Sequence, residues 1–370
     1  MGEEALYRIA LTRVKGIGTV QTKKLIDIFG DARAVFQASK KSLSQTGLGE
    51  GIIVSILGFH GQTSLEAEML QLERAGIRQL FFTDKDYPRR LLPVSDAPPL
   101  LFYRGKADLN SKKIVSVVGT RLASDYGREM TARLITQMAQ PGLLIVSGLA
   151  LGIDAAAHTA AMANQLPTIG VLGHGHGTIY PIEHRTLSAE MLKSGGLLTA
   201  FKYGVKPERY NFPARNSWIA ALCDALVVVE TARKGGSMLT VGDALRYGKQ
   251  VFAMPGRISD QRSMGCNNLI GQGHARMLCS GEELSAAMGW GWPAGGKAVQ
   301  SSLSFSGQLS ELRLPSLLAS KESLSIDELT ATLMTEGGLS SGAAALLLLD
   351  LEIKGIVSRL PGQRYRSNAV

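Results

Sequence analysis

The spacing of apolar residues changes along this chain of 370 residues, and each change marks a different kind of structure. From residue 1 to about residue 80, apolar positions recur with a helical period between glycine-rich turns, which predicts a module of short helices. The predicted helices span Glu3–Thr12, Val20–Phe29, Ala32–Ala38, Ile52–Leu57 and Ser64–Ala75.

Two glycine turns in this module, at Val14–Val20 and Thr46–Ile52, alternate apolar residues with glycine. They resemble the hairpin of helix-hairpin-helix or SAM-like modules, whose turn amides can hold a DNA phosphate. A plain turn between two helices that needs glycine for its backbone explains the same residues. Both interpretations of these turns stay open.

Between residues 81 and 288, short apolar runs rich in β-branched residues alternate with helical stretches. Continuous apolar strands that alternate with helices indicate a parallel sheet covered on both faces, so we expect a Rossmann-like, doubly wound α/β domain. The predicted strands are Ile114–Val118, Leu143–Ser147, Thr168–Leu172, Leu197–Ala200, Ala225–Val229, Gln250–Ala253 and Ala275–Leu278. The predicted helices are Asp125–Gln140, Asp154–Ala163, Arg185–Lys193, Asn216–Leu222, Leu239–Tyr247, Asn267–Gly273 and Glu282–Met288.

The C-terminal part of the chain is expected to hold a linker and a small domain. Residues 289–308 are rich in glycine, serine and proline and have no period, which predicts a linker. Residues 309–370 predict a winged helix, in which three helices are followed by a hairpin. Its predicted parts are a helix from about Leu309, a helix at Ser325–Met334 opened by a Ser325/Glu328 capping box, a helix at Ser340–Lys354 and a hairpin within Gly355–Arg366.

The loops after the predicted strands carry small residues and arginine at the carboxyl ends of the strands, where a doubly wound sheet binds its ligands. Small residues let backbone amides approach an anion, and helix N-termini add a favourable dipole. Several such loops on one sheet edge predict a phosphate-binding pocket, although a tight turn that needs glycine explains any single loop as well. Four of these segments end strands, namely Val117–Arg121, Ser147–His158, Val171–Pro181 and Ala253–Arg257, and two open helices, namely Phe212–Asn216 and Gly235–Thr240.

Three classes of nucleotide-binding protein lack their motifs in this sequence. No GxGxxG with dinucleotide spacing follows the first strand, since Gly119 stands alone, and no GxxxxGK[ST] occurs. Nucleotide hydrolases of the lysine-decarboxylase-like or LOG type carry PGGxGTxxE, whereas Lys234–Thr240 is followed by no such glutamate and Asp243 is the nearest carboxylate. These absences make NAD binding, P-loop ATP hydrolysis and LOG-type nucleotide hydrolysis unexpected, so we expect a protein without a nucleotide cofactor.

Histidine residues near these loops do not form a recognisable metal site. His174, His176 and His184 are close in sequence, but no cysteine or carboxylate completes a ligand spacing, so we expect no metal. His158 lies four residues after Asp154 on one helix face, and we expect it to make a structural hydrogen bond.

The charge and the cysteine content of the chain limit the partners and the cellular compartment that we expect. Forty Lys and Arg residues against 31 Asp and Glu residues give a net charge of +9, which favours a polyanionic partner without identifying it. Cys223, Cys266 and Cys279 form no CxxC pair, and their apolar or helical contexts predict buried, reduced thiols. An acidic N-terminus and apolar stretches too short for a membrane span predict a soluble, cytoplasmic protein with no membrane partner.

Taken in order, the loops resemble the motifs of the DprA family (DNA-processing protein A, also called Smf). The resemblance runs continuously from about Asp84 to Gly281, over half the chain, and begins with Tyr87–Gly105. It continues through VVGTR, SGLALGIDAAAH, VLGHGHGTIYP, FPARN, GGSMLT and AMPGR, followed by Gly265–Ile270. A helical N-terminal module and a C-terminal winged helix also occur in members of that family.

The resemblance implies a function for the predicted pocket. Members of the family bind single-stranded DNA, protect incoming strands during natural transformation, help to load the RecA recombinase and form a homodimer through the Rossmann-like domain, and no catalytic activity is attributed to them. The clearest family contact to DNA is the arginine of the VGxR motif, which is Arg121 here. The DNA-binding residues that we expect are Gly119, Thr120, Arg121, Ser147, Gly148, Arg185, Arg215, Asn216, Gly235, Gly236, Ser237 and Thr240.

Two departures from the family pattern concern this site. Many members have a basic residue directly after the Tyr-Pro of the third loop, where this chain has Ile182, and Arg185 is the nearest substitute. Many members also continue FPxRN with arginine, where this chain has Ser217 followed by Trp218, for which we expect core packing. Two other functions stay open: a LOG-like enzyme that senses or hydrolyses nucleotides, and a winged-helix transcription factor with the Rossmann-like domain as its sensor.

Overall fold

The computed structural model of the protein describes residues 3–291 and, further on, residues 323–325, 327–329, 331, 335, 352, 357–360 and 364–367. The chain divides into two compact units, Met1–Ala294 and Gly295–Val370. The first unit contains both the helical module and the α/β sheet, and the second unit contains the C-terminal strands.

Six helices form the N-terminal part of the described chain, and five of them match the predicted helices to within two residues at each end. They are α1 (Glu3–Arg13), α2 (Thr19–Phe29), α3 (Ala32–Gln37), α4 (Lys40–Ser44), α5 (Glu50–Leu57) and α6 (Gln62–Arg74). The sequence analysis missed α4 because five residues are too few to show a helical period. Ser39 caps this helix by accepting a hydrogen bond from the amide of Ser42.

Nine strands form one sheet in the described chain, in the order β1-β2-β6-β5-β4-β3-β7-β8-β9. They are β1 (Arg78–Phe81), β2 (Leu100–Gly105), β3 (Lys113–Val118), β4 (Leu143–Ser147), β5 (Thr168–Val171), β6 (Gly196–Thr199), β7 (Ala225–Val228), β8 (Gln250–Ala253) and β9 (Arg276–Met277). Strands β3 to β9 run parallel to one another and correspond to the seven predicted strands.

Strands β1 and β2 are antiparallel additions that the sequence analysis missed. They extend the sheet beyond β6, and β1 is its edge strand. Because β1 begins at Arg78, the predicted boundary between the helical module and the α/β domain, at residues 80 and 81, falls inside a strand. The four residues of β1 are too few to show a strand pattern against the helix that precedes them.

Seven helices follow strands of the sheet: α7 (Asp125–Met138), α8 (Ile153–Ala163), α9 (Arg185–Met191), α10 (Asn211–Leu222), α11 (Ser237–Arg246), α12 (Met264–Gly271) and α13 (Gly281–Ala287). Val115 and Val117 of β3 share a core with residues of α7, α8 and α13. Ile114 and Val118 of the same strand share a second core with residues of α10, α11 and α12. The central strand is therefore buried on both faces, and the predicted doubly wound α/β architecture is confirmed.

Two helices at the carboxyl edge begin earlier than predicted, which changes the setting of their motifs. Helix α10 begins at Asn211 rather than Asn216, so the FPARN motif, which is predicted to open this helix, forms its first turns. Pro213 is tolerated there because the first amides of a helix have no partner inside it. Helix α11 begins at Ser237 rather than Leu239. The side chains of both motifs are consequently held by regular backbone.

Charged side chains join the helical module to the sheet within the first unit. Glu68 of α6 is only 3% exposed, and its carboxylate lies 3.2 Å from Nη2 of Arg13 and 3.8 Å from Nζ of Lys202, in the loop after β6. Arg8 of α1 donates a hydrogen bond of 2.9 Å to Asp84, just after β1. The module is therefore fixed to the sheet at both of these points.

The prediction that the cysteines are buried is confirmed for two residues and is wrong for the third. Cys223 and Cys266 are buried, whereas Cys279 is exposed. Leu278 beside it is fully buried, but the chain turns toward solvent at the next residue, where the amide of Cys279 donates to Oε2 of Glu283 at 2.8 Å. Among the described residues, no helix combines the length and the apolar character that a membrane crossing requires.

The described part of the second unit contains three antiparallel strands in the order β10-β12-β11, namely β10 (Leu324–Ser325), β11 (Val357–Leu360) and β12 (Arg364–Ser367). Strands β11 and β12 form the predicted hairpin. The capping box is also present, since the amide of Ser325 donates to Oε2 of Glu328 at 2.9 Å and the amide of Glu328 donates to Oγ of Ser325 at 3.2 Å. Most of the predicted linker, the helix from Leu309 and all of Ser340–Lys354 except residue 352 lie outside the described residues, so the winged helix stays a prediction.

A tight contact between α7 and the end of β7 gives a first prediction. A Cβ atom at Gly127 would lie 2.5 Å from Cδ of Glu230, a buried carboxylate that accepts hydrogen bonds from the amide and hydroxyl of Ser124. We expect Gly127→Ala to lower the free energy of unfolding by about 1–3 kcal/mol, because Glu230 has little room to move. Chemical denaturation measures this change.

The matched control is Gly242→Ala in α11, where an added Cβ atom meets nothing within 4 Å. Alanine is the better helix former, so this variant should be neutral or more stable by up to about 1 kcal/mol. Equal unfolding free energies for the two variants would show that the contact at Gly127 is not tight.

Candidate nucleic-acid interface

A pocket of about 330 Å³ opens at the carboxyl edge of the sheet, where the strand order reverses between β3 and β7. Open α/β sheets bind ligands at this switch point because the loops after the two strands diverge there. The pocket brings together nine of the twelve predicted DNA-binding residues: Gly119, Thr120, Arg121, Arg215, Asn216, Gly235, Gly236, Ser237 and Thr240.

The loop after β3 is fixed by its backbone, so Arg121 projects from a defined point on the pocket rim. The amide of Thr120 donates to the carbonyl of Glu230 at 2.7 Å, and its carbonyl accepts from the amide of Ile153 at 3.2 Å. Gly152 has a φ of +80° and packs against the carbonyls of Thr120 and Arg121, where a side chain has no room. The side chain of Arg121 itself is exposed and has no ion pair among the residues that the structure describes.

The residues before α11 and its first turn form the opposite side of the pocket. The hydroxyl of Ser237 donates to Oγ1 of Thr231 at 2.7 Å, and Gly235 packs so closely on Thr231 that it leaves no space for a side chain. The first amides of a helix have no partner inside it, and the helix dipole favours an anion at this end. Gly236 and Ser237 can therefore present amides to a phosphate.

Arg215 lies beneath the pocket and not at its mouth, which changes the role that we predicted for it. The residue is 4% exposed. Its Nη1 atom donates to the carbonyls of Gly148 and of Val171, the latter at 2.7 Å, and its Nε atom donates to Oδ1 of Asn216 at 3.1 Å. Protein acceptors thus occupy these nitrogens, and Arg215 joins the loop after β4 to the end of β5.

Asp154, in the first turn of α8, balances the buried charge of Arg215. Its Oδ2 atom accepts hydrogen bonds from the amides of Gly148 at 3.1 Å and Ala150 at 3.2 Å. Burial raises the pKa of Asp154, and the charge of Arg215 opposes that rise. Burial also lowers the pKa of Arg215 to about 10, against the opposing effect of Asp154, so the guanidinium stays protonated at neutral pH.

Three predicted DNA-binding residues do not line this pocket. Ser147 is fully buried, and its hydroxyl donates to the carbonyl of Val117 at 2.6 Å, so it serves the sheet rather than a ligand. Gly148 lines an adjoining groove, which it shares with Arg121. Arg185 begins α9 and lines a separate cavity.

Phe212 is a pocket residue that the sequence analysis did not select. The guanidinium carbons of Arg121 and Arg215 each lie 5.4 Å from the centre of its ring, which is cation–π distance. Tyr180, with 45% of its surface exposed, lies 6.1 Å away, ring centre to ring centre. Membership of the FPARN motif was the available signal for Phe212. Trp218, in contrast, is buried in the core, as expected.

The histidines near the pocket are buried and bonded within the fold. His158 makes the expected structural hydrogen bond, with Nδ1 lying 2.7 Å from Oγ1 of Thr168. His174, His176 and His184 each bond to a backbone carbonyl. Burial lowers the pKa of His158 to about 3 and that of His176 to about 4, which favours neutral rings. Within the described residues, no group of three or more His, Cys, Asp or Glu side chains is arranged to hold a metal ion.

Comparisons with known proteins match the region that contains this pocket. A family model described as DNA recombination-mediator protein A matches residues 78–289. Protein Smf of Synechocystis sp. is 31% identical over 399 residues, which cover 98% of this chain and 98% of Smf. The X-ray structure of DNA processing protein A from Streptococcus pneumoniae gives a TM-score of 0.67 at 32% identity and covers 76% of this chain and 97% of that chain.

A second solved structure, of DNA processing protein A from Helicobacter pylori, is described for its single-stranded DNA binding mode. It gives a TM-score of 0.53 at 26% identity and covers 58% of this chain and 97% of that chain. The family model spans more than half of the present chain, and the similarity to Smf extends through nearly all of it. This chain therefore belongs to the family of DNA recombination-mediator protein A, whose relatives bear the names DprA and Smf.

Proposed function

We propose that this chain binds single-stranded DNA by its phosphate backbone in the pocket between β3 and β7. The observation that carries the proposal is Arg121, an exposed guanidinium without an ion pair in the described chain, on a pocket whose other side is the start of α11. Arginine binds phosphate through two parallel N–H bonds, and helix amides supply further donors. The DNA processing protein A of Helicobacter pylori, described for single-stranded DNA binding, shares this fold and supports the proposal.

The chemistry of the pocket favours single strands over duplex DNA. Amides and Arg121 contact phosphate, which is the same in every sequence, so binding should be independent of sequence. The rings of Phe212 and Tyr180 offer faces on which unpaired bases can stack. A duplex hides those base faces in its own stack, so it forgoes this part of the binding energy.

No chemical step is needed for this function. Asp154 is the carboxylate among the described pocket residues, and both the amides of Gly148 and Ala150 and the charge of Arg215 engage it. Asp154 thus has a structural role, since it holds the loop after β4 through two amides. This environment supports binding rather than hydrolysis.

Family membership extends the proposal to a cytoplasmic role in natural transformation. We propose that the chain forms a homodimer through the Rossmann-like domain, protects incoming single strands and helps to load the RecA recombinase onto them. Sedimentation of the purified chain tests the dimer. RecA filament formation on strands already covered by a single-strand-binding protein, with and without this chain, tests the loading; no acceleration would refute it.

Arg121 gives the most direct test of the pocket. We expect Arg121→Ala to weaken single-strand binding by about 1.5–3 kcal/mol, the contribution of a charge-assisted contact. Loss of one phosphate contact should also reduce the slope of log K against log salt by about 0.7. Arg121→Lys should recover only part of the affinity, since a point charge cannot make the paired contact. Salt titrations of DNA affinity measure all three effects.

Arg133 of α7 supplies the matched control, because it is also exposed and lies on a helix away from the pocket lining. Arg133→Ala should bind DNA like the unaltered chain, and both alanine variants should keep its melting temperature. Unchanged affinity in Arg121→Ala would mean that Arg121 does not contact DNA. A large drop in the melting temperature of this variant would mean that Arg121 is structural.

DNA binding should require neither a nucleotide nor a metal, and it should be tighter for a single strand than for a blunt duplex of the same length. The reason is that amides, guanidinium groups and ring faces supply every contact in the proposal. Fluorescence anisotropy with both DNA forms, before and after treatment with a chelator and with apyrase, measures this. Binding that disappears after either treatment, or that favours the duplex, would count against the proposal.

A further inference from the structure

A second cavity, of about 460 Å³, lies between the loop before α9 and the antiparallel edge of the sheet. Its lining comes from β2, from the loop that ends in α9, from the loop after β6 and from the end of the helical module. The residues that matter below are Arg104, His176, Ile179, Ile182, Arg185 and Tyr203. Arg185 is the residue of this cavity that the sequence analysis expected to bind DNA, whereas Arg104 was not selected.

One short segment, residues 179–182, contributes residues both to a groove beside the first pocket and to the second cavity. The groove shares Arg121 and Phe212 with the first pocket, and its far side is formed by Tyr180 and Pro181. The flanking residues of that same segment, Ile179 and Ile182, line the second cavity. A single strand that follows the groove away from Arg121 would meet this segment, whose flanking residues line the second cavity.

The surface of this crossing suits nucleotide bases. Tyr180 and Ile182 are large hydrophobic residues, yet they are 45% and 72% exposed. Tyr203 continues the apolar surface inside the cavity, where its ring packs against Gly177. Unstacked bases bind to such surfaces without regard to sequence.

The charge of the second cavity is positive and unbalanced. Arg104 and Arg185 are exposed, and neither guanidinium has an ion pair or a hydrogen bond among the described residues. No carboxylate belongs to the described lining of the cavity. His176 adds no charge, since its ring bonds to the carbonyl of Phe102 at 3.0 Å and burial lowers its pKa to about 4. Two free guanidinium groups beside an apolar wall form a site for a phosphate with its attached nucleoside.

We propose that the cavity of Arg104 and Arg185 is a second subsite for the same DNA strand, occupied by a phosphate further along the backbone than the one held by Arg121. This inference rests on the proposed function of the first pocket. A short oligonucleotide occupies the first pocket alone. A longer one spans the groove, and its extra affinity comes from Arg104 and Arg185.

Oligothymidylates of two lengths, about 4 and about 16 nucleotides, separate the two sites. We expect Arg104→Ala to weaken binding of the longer oligonucleotide on the order of tenfold, while binding of the shorter one stays as in the unaltered chain. Arg185→Ala should behave in the same way, and Arg104→Lys should retain part of the affinity. For the longer oligonucleotide, the slope of log K against log salt should decrease in magnitude by about 0.7 for each arginine removed.

Arg133→Ala is again the control, and it should change neither complex. The proposal is overturned if Arg104→Ala binds the longer oligonucleotide like the unaltered chain, or if it weakens both lengths equally. If the first pocket does not bind DNA, the result is different, because Arg121→Ala would then bind both oligonucleotides like the unaltered chain. The two hypotheses are therefore distinguished within one set of titrations.

Discussion

The guanidinium of Arg215 connects the backbone segments that lie beneath the pocket, and the shape of the pocket depends on this connection. Through Nη1 it joins the carbonyl of Gly148, after β4, to that of Val171, at the end of β5. Asp154 lies beside it and holds the same loop by two amides. Removing Arg215 would leave these buried carbonyl groups without their donor, and an unsatisfied buried polar group typically costs about 1–3 kcal/mol. The shape of the pocket therefore depends on a charge that DNA need never touch.

Arg121 and Arg215 lie in comparable motifs but have different roles. Arg121 and Arg215 both follow or lie within glycine- and proline-containing motifs at the carboxyl edge, and both approach the ring of Phe212 to 5.4 Å. One is exposed and the other is 4% exposed, a difference that arises from the packing of α10 over the sheet. Sequence spacing cannot report burial of this kind, so the two arginines could not be distinguished before the structure was known.

The parallel sheet and most of its helices were predictable because long apolar strands and amphipathic helices leave strong periods in a sequence. Strands β1 and β2 were not predicted, because one is very short and the other lies within a motif rich in proline and aromatic residues. Helix α10 begins at Asn211, five residues before the predicted Asn216, because Pro213 is tolerated in the first turn of a helix and the FPARN motif is itself helical. The motif order correctly indicated the family and nine residues of the pocket, but Ser147 proved to be bonded inside the sheet and Phe212 was overlooked.

The packing of the helical module on β1 and β2 has a consequence for the sheet itself. Phe81, Leu100 and Phe102 share a core with helical residues such as Ile9 and Leu72. Without the helices, this apolar face would be open to other molecules, and exposed apolar patches promote association. The N-terminal helices consequently act as a protective cover for the antiparallel edge of the α/β sheet.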